Sequence, residues 1–167
     1  MTVACRRIAD YAAQFGITTT VESHGFFVNG SDRVIRLINE VNRPNYKLTL
    51  DVGNFMCVDE NSVVGVIKSL PYTVMIHLKD FYYRPSYRNP GGTTEFDCRG
   101  QWFTTSNGNF LRGAIIGQGD LDMWEIIRLI KNYGYDGCIS VEFEGMEDCE
   151  VGSKVGMDNA KRIWNEV

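Results

Sequence analysis

Four short apolar runs each stop on a side chain that can hold a cation or move a proton: Val21-Glu22, Leu50-Asp51, Ile76-His77 and Val141-Glu142. Between them lie segments of helical periodicity. Ser31 or Asp32 is placed to cap a helix carrying Val34, Ile35, Leu37, Ile38 and Val41, which Asn42 and Pro44 end. Asn61 or Ser62 caps a second, with Val63, Val64, Val66, Ile67 and Leu70, closed by Pro71. Asp120 caps a third, with Leu121, Trp124, Ile127, Leu129 and Ile130, stopped by Gly134. Residues 2–15 and 153–166 read as flanking helices, the first offering Val3, Ile8, Ala12 and Phe15 for packing, the second Val155, Ala160, Ile163 and Trp164. A chain that alternates strand and helix four times must pair its strands in parallel, because each helix carries it back to the starting end. The strands lack clean polar alternation, as expected where both faces are covered.

Parallel pairing places every carboxyl end on one side of the sheet. Glu22, Asp51, His77 and Glu142 then converge if the strands are adjacent and the sheet is curved. From 22 to 51 is 29 residues and from 51 to 77 is 26, one strand–helix unit each. From 77 to 142 is 65, one unit plus an excursion over about 81–118 that is rich in Gly, Asn, Pro, Arg and aromatic residues. Three carboxylates and an imidazole make a hard, oxygen-rich site. It suits one divalent ion, with Mn²⁺, Mg²⁺ or Co²⁺ favoured and Zn²⁺ possible. A cation would also relieve the repulsion among the three acids. The competing reading is that each acid only caps the helix after it.

These motifs resemble a known family. Val21-Glu22-Ser23-His24-Gly25, Leu50-Asp51-Val52-Gly53-Asn54-Phe55, Ile76-His77-Leu78-Lys79-Asp80 and Ser140-Val141-Glu142-Phe143-Glu144 look like the last four strands of the sugar phosphate isomerase/epimerase family, among the xylose isomerase-like TIM barrels. Ile116-Gly117-Gln118-Gly119-Asp120-Leu121 and the turn Gly134-Tyr135-Asp136-Gly137 are similar to it too. The resemblance implies an α/β fold, the C-terminal half of a (β/α)₈ barrel, as a single partial-barrel domain over residues 1–167. It implies Glu22, Asp51, His77 and Glu142 as metal ligands, and Glu22 and Glu142 as the acid/base pair. The chemistry implied is proton transfer beside a carbonyl of a sugar or sugar phosphate, through an enediolate. Dehydration of a keto-inositol is a neighbouring possibility on the same site.

Four further residues are candidates for substrate contact. His24 lies two residues past Glu22. Asn54 stands where related epimerases often place a histidine. Lys79 follows His77 by two, and Arg112 lies in the excursion. Phe26, Phe27, Phe55, Phe81, Tyr82 and Trp102 offer an apolar wall for a sugar ring, or packing.

A complete eight-stranded barrel needs about 250 residues, and this chain has 167. The expectation is therefore either a piece of a longer protein or a half-barrel that pairs with a second copy or a complementing half, since open sheet edges seek partners. A catalytically silent half-barrel that acts as an interaction module is the alternative function. A net charge of −4 and only two histidines, His24 and His77, speak against a nucleic-acid partner and against the trinuclear site of the related apurinic endonucleases. No apolar run reaches the ~18 residues of a membrane span, and the N-terminus has no signal-peptide core, so the expected location is cytoplasmic. Cys5, Cys57, Cys98, Cys138 and Cys149 form no CxxC pair and read mostly as buried or half-buried thiols.

Overall fold

The apolar runs form a parallel sheet in the computed structural model, which describes residues 1–91 and 101–167. Its strands are β1 (Thr19–Glu22), β2 (Tyr46–Asp51), β3 (Thr73–Leu78), β4 (Asp80–Arg84), β5 (Phe103–Thr104), β6 (Phe110–Ala114) and β7 (Cys138–Val141). Its helices are α1 (Thr2–Ala13), α2 (Ser31–Val41), α3 (Ser62–Ser69), α4 (Met123–Asn132) and α5 (Cys149–Glu166). Strands β1, β2, β3 and β7 pair in that order, all parallel. This is the four-strand arrangement expected of half a barrel.

The core lies between this sheet and its helices. Leu48, Leu50, Ile76 and Leu78 meet Val34, Val41, Val66, Ile126, Ile130 and Ile163, all buried. Each such aliphatic side chain contributes roughly 2 kcal/mol by leaving water. Phe55, in a 3₁₀ turn after β2, packs so closely on α3 that a Cβ at Gly65 would run into its ring.

Most helix ends agree with the sequence, and at the exceptions another group takes the cap. Asn61 caps α3 by accepting from the Val64 N–H at 3.2 Å. Asn42 ends α2 in the left-handed region at φ 48°. Neither Ser31 nor Asp32 is the cap of α2. Gly30 holds that position, and the Glu60 carboxylate, reaching from beside α3, accepts from the Ser31 N–H at 2.7 Å. Asp120 does not cap α4 either. Asp122 does so through the Glu125 N–H at 3.0 Å, while Asp120 accepts from the Tyr83 N–H at 2.6 Å and so ties the loop to β4. Helix α5 starts at Cys149 rather than 153, capped by Asp148. On α1 only Ala9 and Ala12 are buried; Val3, Ile8 and Phe15, expected to pack, are exposed.

The excursion is the main correction. Expected from its composition as a long loop, its described residues hold a three-stranded antiparallel sheet in the order β4-β6-β5. Phe81 and Leu111 belong to the core, and Phe81 meets Phe103 edge-on at 5.7 Å. Two anchors hold this sheet against the carboxyl-end loops. Asp59 accepts from the Thr105 hydroxyl, the Asn107 N–H and the Asn109 side chain, at 2.7–2.8 Å. The buried Asp80 carboxylate accepts from the backbone N–H groups of Phe81, Gly117, Gly119 and Leu121. Of the cysteines, Cys57 is buried and Cys5 half-buried, but Cys138 and Cys149 are exposed, against expectation; Cys98 lies outside the described residues. No helix among the described residues is long and apolar enough to cross a membrane.

Candidate metal centre

Strand periodicity places the four ligand residues on one face. Side chains two apart share a face, so Tyr46, Leu48 and Leu50 pack under the helices while Lys47, Thr49 and Asp51 face the other way. The register then staggers the ligands. Glu22 is level with Thr49, Asp51 with His77, and His77 with Ser140, two residues before Glu142. The tip of the site climbs from β1 to β7, the offset that a tilted, closing sheet requires. The Glu142 N–H donates to the Leu78 carbonyl at 2.9 Å, extending the β3–β7 ladder to the ligand itself.

The four side chains meet. One ligand atom from each of Glu22, Asp51, His77 and Glu142 lies within 4.8 Å of all the others. His77 Nδ1 is 3.0 Å from Glu142 Oε2 and 3.8 Å from Glu22 Oε1. Asp51 is fully buried, and its Oδ1 accepts from the N–H groups of Gly53 and Asn54, both at 2.9 Å. That tight turn fixes the carboxylate and leaves Oδ2 for the centre. None of the four is the N-cap of an α-helix, since Gly30, Asn61, Asp122 and Asp148 hold those positions for α2 to α5; Asp51 alone caps, at the 3₁₀ turn after β2.

Beneath the carboxylates sits Lys79. Its side chain is 1% exposed, and Nζ lies 3.0 Å from Glu142 Oε1, 3.2 Å from Asp51 Oδ2 and 3.3 Å from Glu144 Oε2. It also donates to Asn54 Oδ1 at 3.4 Å. Burial works to neutralise this amine, but the three carboxylates win and hold its pKa above the ordinary lysine value. Burial pushes the Asp51 carboxyl up to about 7, with Lys79 opposing and Glu142 adding to the rise. Burial also works to raise Glu142, yet Lys79, Asp51 and His77 together hold it below the usual carboxylate range. The sequence motif assigns no role to Glu144, which the structure places against the lysine. Its spacing of two from Glu142 was the available signal.

The other candidates divide. Asn54 is buried, and its Nδ2 has no hydrogen-bond partner among the described residues. His24 is exposed on the loop after β1, bridged through its backbone to Val28. Arg112, on β6, stacks over Tyr82 at 4.8 Å and Trp102 at 5.5 Å and reaches Met146 Sδ at 3.6 Å, so it borders the loop that follows Glu142. Phe26 and Phe27 are exposed, whereas Phe55 and Phe81 are core residues rather than a wall.

The donor set fits a divalent ion. Glu22 Oε1 is buried without a hydrogen-bond partner, which is costly unless something else satisfies it, and Asp51 Oδ2 has the Lys79 ammonium at 3.2 Å but no hydrogen bond. Donors about 2.1 Å from one ion lie at most ~4.2 Å apart, so a sub-ångström contraction closes the ring. Hard oxygens with a single imidazole select Mg²⁺- or Mn²⁺-like ions over thiophilic ones.

Comparison with known proteins agrees with the fold. A family model described as xylose isomerase-like TIM barrel matches residues 3–166. A xylose isomerase domain protein from Planctomyces limnophilus superposes with a TM-score of 0.74 at 19% identity, over 99% of this chain and 51% of that one. A xylose isomerase-like TIM barrel protein from Mycobacterium smegmatis, solved in complex with magnesium, gives 0.71 at 20%, over 98% and 49%. A D-allulose 3-epimerase from Methylomonas sp. gives 0.61 at 21%, over 98% and 46%. The chain thus spans about half the length of the structures it matches. No curated protein matches the sequence.

Proposed function

The chain belongs to the xylose isomerase-like TIM barrels, and on that footing we propose that it carries the proton-transfer site of a sugar isomerase or epimerase that uses one divalent metal ion. The observation that carries the reading is the convergence of Glu22 and Glu142 on His77 Nδ1, with Asp51 closing the ring. Glu22, Asp51, His77 and Glu142 would hold the ion, which would supply Lewis-acid polarisation of the substrate carbonyl as the neighbouring proton leaves.

Glu142 is the base. Lys79 and His77 keep its carboxylate ionised, so it can take a proton from the carbon beside the carbonyl. Glu22, on the other side of the centre, returns a proton to that carbon or to its neighbour. Asn54 Nδ2, free of other bonds, donates to a substrate hydroxyl. Arg112 and His24 hold the outer end of the sugar. The D-allulose 3-epimerase and magnesium-bound relatives support the substrate class and the ion.

The test is solvent exchange. A ketohexose panel including D-allulose is incubated in D₂O with the Mn²⁺-loaded protein and followed by NMR. Deuterium should enter at a carbon next to the carbonyl, and Glu142→Gln should slow this by roughly 100-fold or more. A folded, metal-loaded protein that exchanges no carbon-bound hydrogen in any sugar would overturn the reading and favour a silent binding module.

A further inference from the structure

The sequence puts Lys79 at the substrate; in the structure its amine is buried under the ligands. Nζ is 3.2 Å from Asp51 Oδ2 and 3.0 Å from Glu142 Oε1, the side chains that would also hold the ion. Its position is rigidly set. A Cβ at Gly53 would lie 2.8 Å from the Lys79 carbonyl oxygen, so the turn after β2 is packed directly on the lysine backbone. Asn54 Oδ1 and Glu144 Oε2 complete the cage.

We propose that Lys79 is a positioning residue, a resident cation that keeps Asp51 and Glu142 preformed before the metal arrives and competes with it for them. The proposal rests on the metal-site reading above and deepens it. Glu22, Asp51, Glu142 and Glu144 bring four negative charges to the ring and the lysine cage; Lys79 and a divalent ion together offset three of them. Glu144 is the device that moderates the lysine: it takes one direction of the ammonium without being a ligand, drawing positive charge away from the ring. A lysine with only a structural part would strengthen metal binding by holding the ligands in place. A competing cation does the opposite, because a positive charge a few ångströms from the ion repels it.

The sign of the change in affinity is therefore the test. Mn²⁺ is titrated calorimetrically at pH 8 into the 167-residue protein and into Lys79→Met, with thermal denaturation of both with and without Mn²⁺. Lys79→Met should bind Mn²⁺ at least roughly fivefold more tightly. Its metal-free melting temperature should fall, and saturating Mn²⁺ should restore most of the loss. Equal or weaker Mn²⁺ binding by the folded variant overturns the proposal. Should Lys79→Met fail to fold without metal, Glu144→Gln decides. It frees the lysine to act wholly on Asp51 and Glu142, so Mn²⁺ binding should weaken several-fold, and unchanged affinity overturns the proposal. If the unmodified protein itself binds no Mn²⁺, the metal-site reading fails first and takes this proposal with it; binding by the unmodified protein without tightening in Lys79→Met removes this proposal alone.

Discussion

Asp51 concentrates the electrostatics of the site in one residue. Its Oδ1 is fixed by two backbone N–H donors, while Oδ2 faces the ring without a hydrogen bond. Burial pushes its carboxyl up to about 7 in the metal-free protein. A ligand must be ionised to bind, so metal and proton compete here. The sign follows directly. Above about pH 7 the carboxylate is already ionised and affinity is flat; below it a proton must leave first, and affinity falls by up to about tenfold per pH unit. Mn²⁺ titrations between pH 5.5 and 8 should show that slope, and titrations at pH 6 in buffers of different ionisation heat should report close to one proton released. A pH-independent affinity with no proton release would contradict the account.

Among the elements, the antiparallel sheet and the end of β7 are the closest neighbours. Gly113 on β6 lies so tightly against the backbone carbonyl of Glu144 that a Cβ there would overlap it. Gly113→Ala must therefore displace the segment after Glu142. It should cost about 1–3 kcal/mol in urea denaturation and weaken Mn²⁺ binding; wild-type values for both would show that the two elements are not coupled. How much of this was legible follows from which interactions are local. The four strands and the ligands at their ends could be read directly, because apolar run, terminal residue and following helix are neighbours in sequence. The β4–β6 hairpin was missed because its Gly, Asn and Pro outweighed Phe81-Tyr82-Tyr83 and Phe110-Leu111, whose β-forming character is equally local. The helix caps failed where a distant group took over, as Glu60 does for Ser31. The burial of Lys79 and the part of Glu144 depend on strand register and on residues some 65 positions apart, which no short motif encodes.

At the scale of the molecule, the parallel sheet has two free edges among the described residues, since β1 pairs only with β2 and β7 only with β3. Helix α1 and the turn after it add Val3, Ile8, Tyr11 and Phe15, each about 60% exposed or more. Such edges and apolar faces associate, and the matched structures are about twice as long as this chain. The 167-residue protein is accordingly expected to run above its monomer mass of 18.9 kDa on sizing with light scattering; a monomer at about 100 µM would contradict this. The central claim is narrower and can be tested apart from assembly. Crystals grown with Mn²⁺ and measured at its absorption edge should show one anomalous peak, about 2.1–2.3 Å from oxygen or nitrogen atoms of Glu22, Asp51, His77 and Glu142. A protein saturated with Mn²⁺ but without a peak among those four side chains, or with its ion elsewhere, would contradict it.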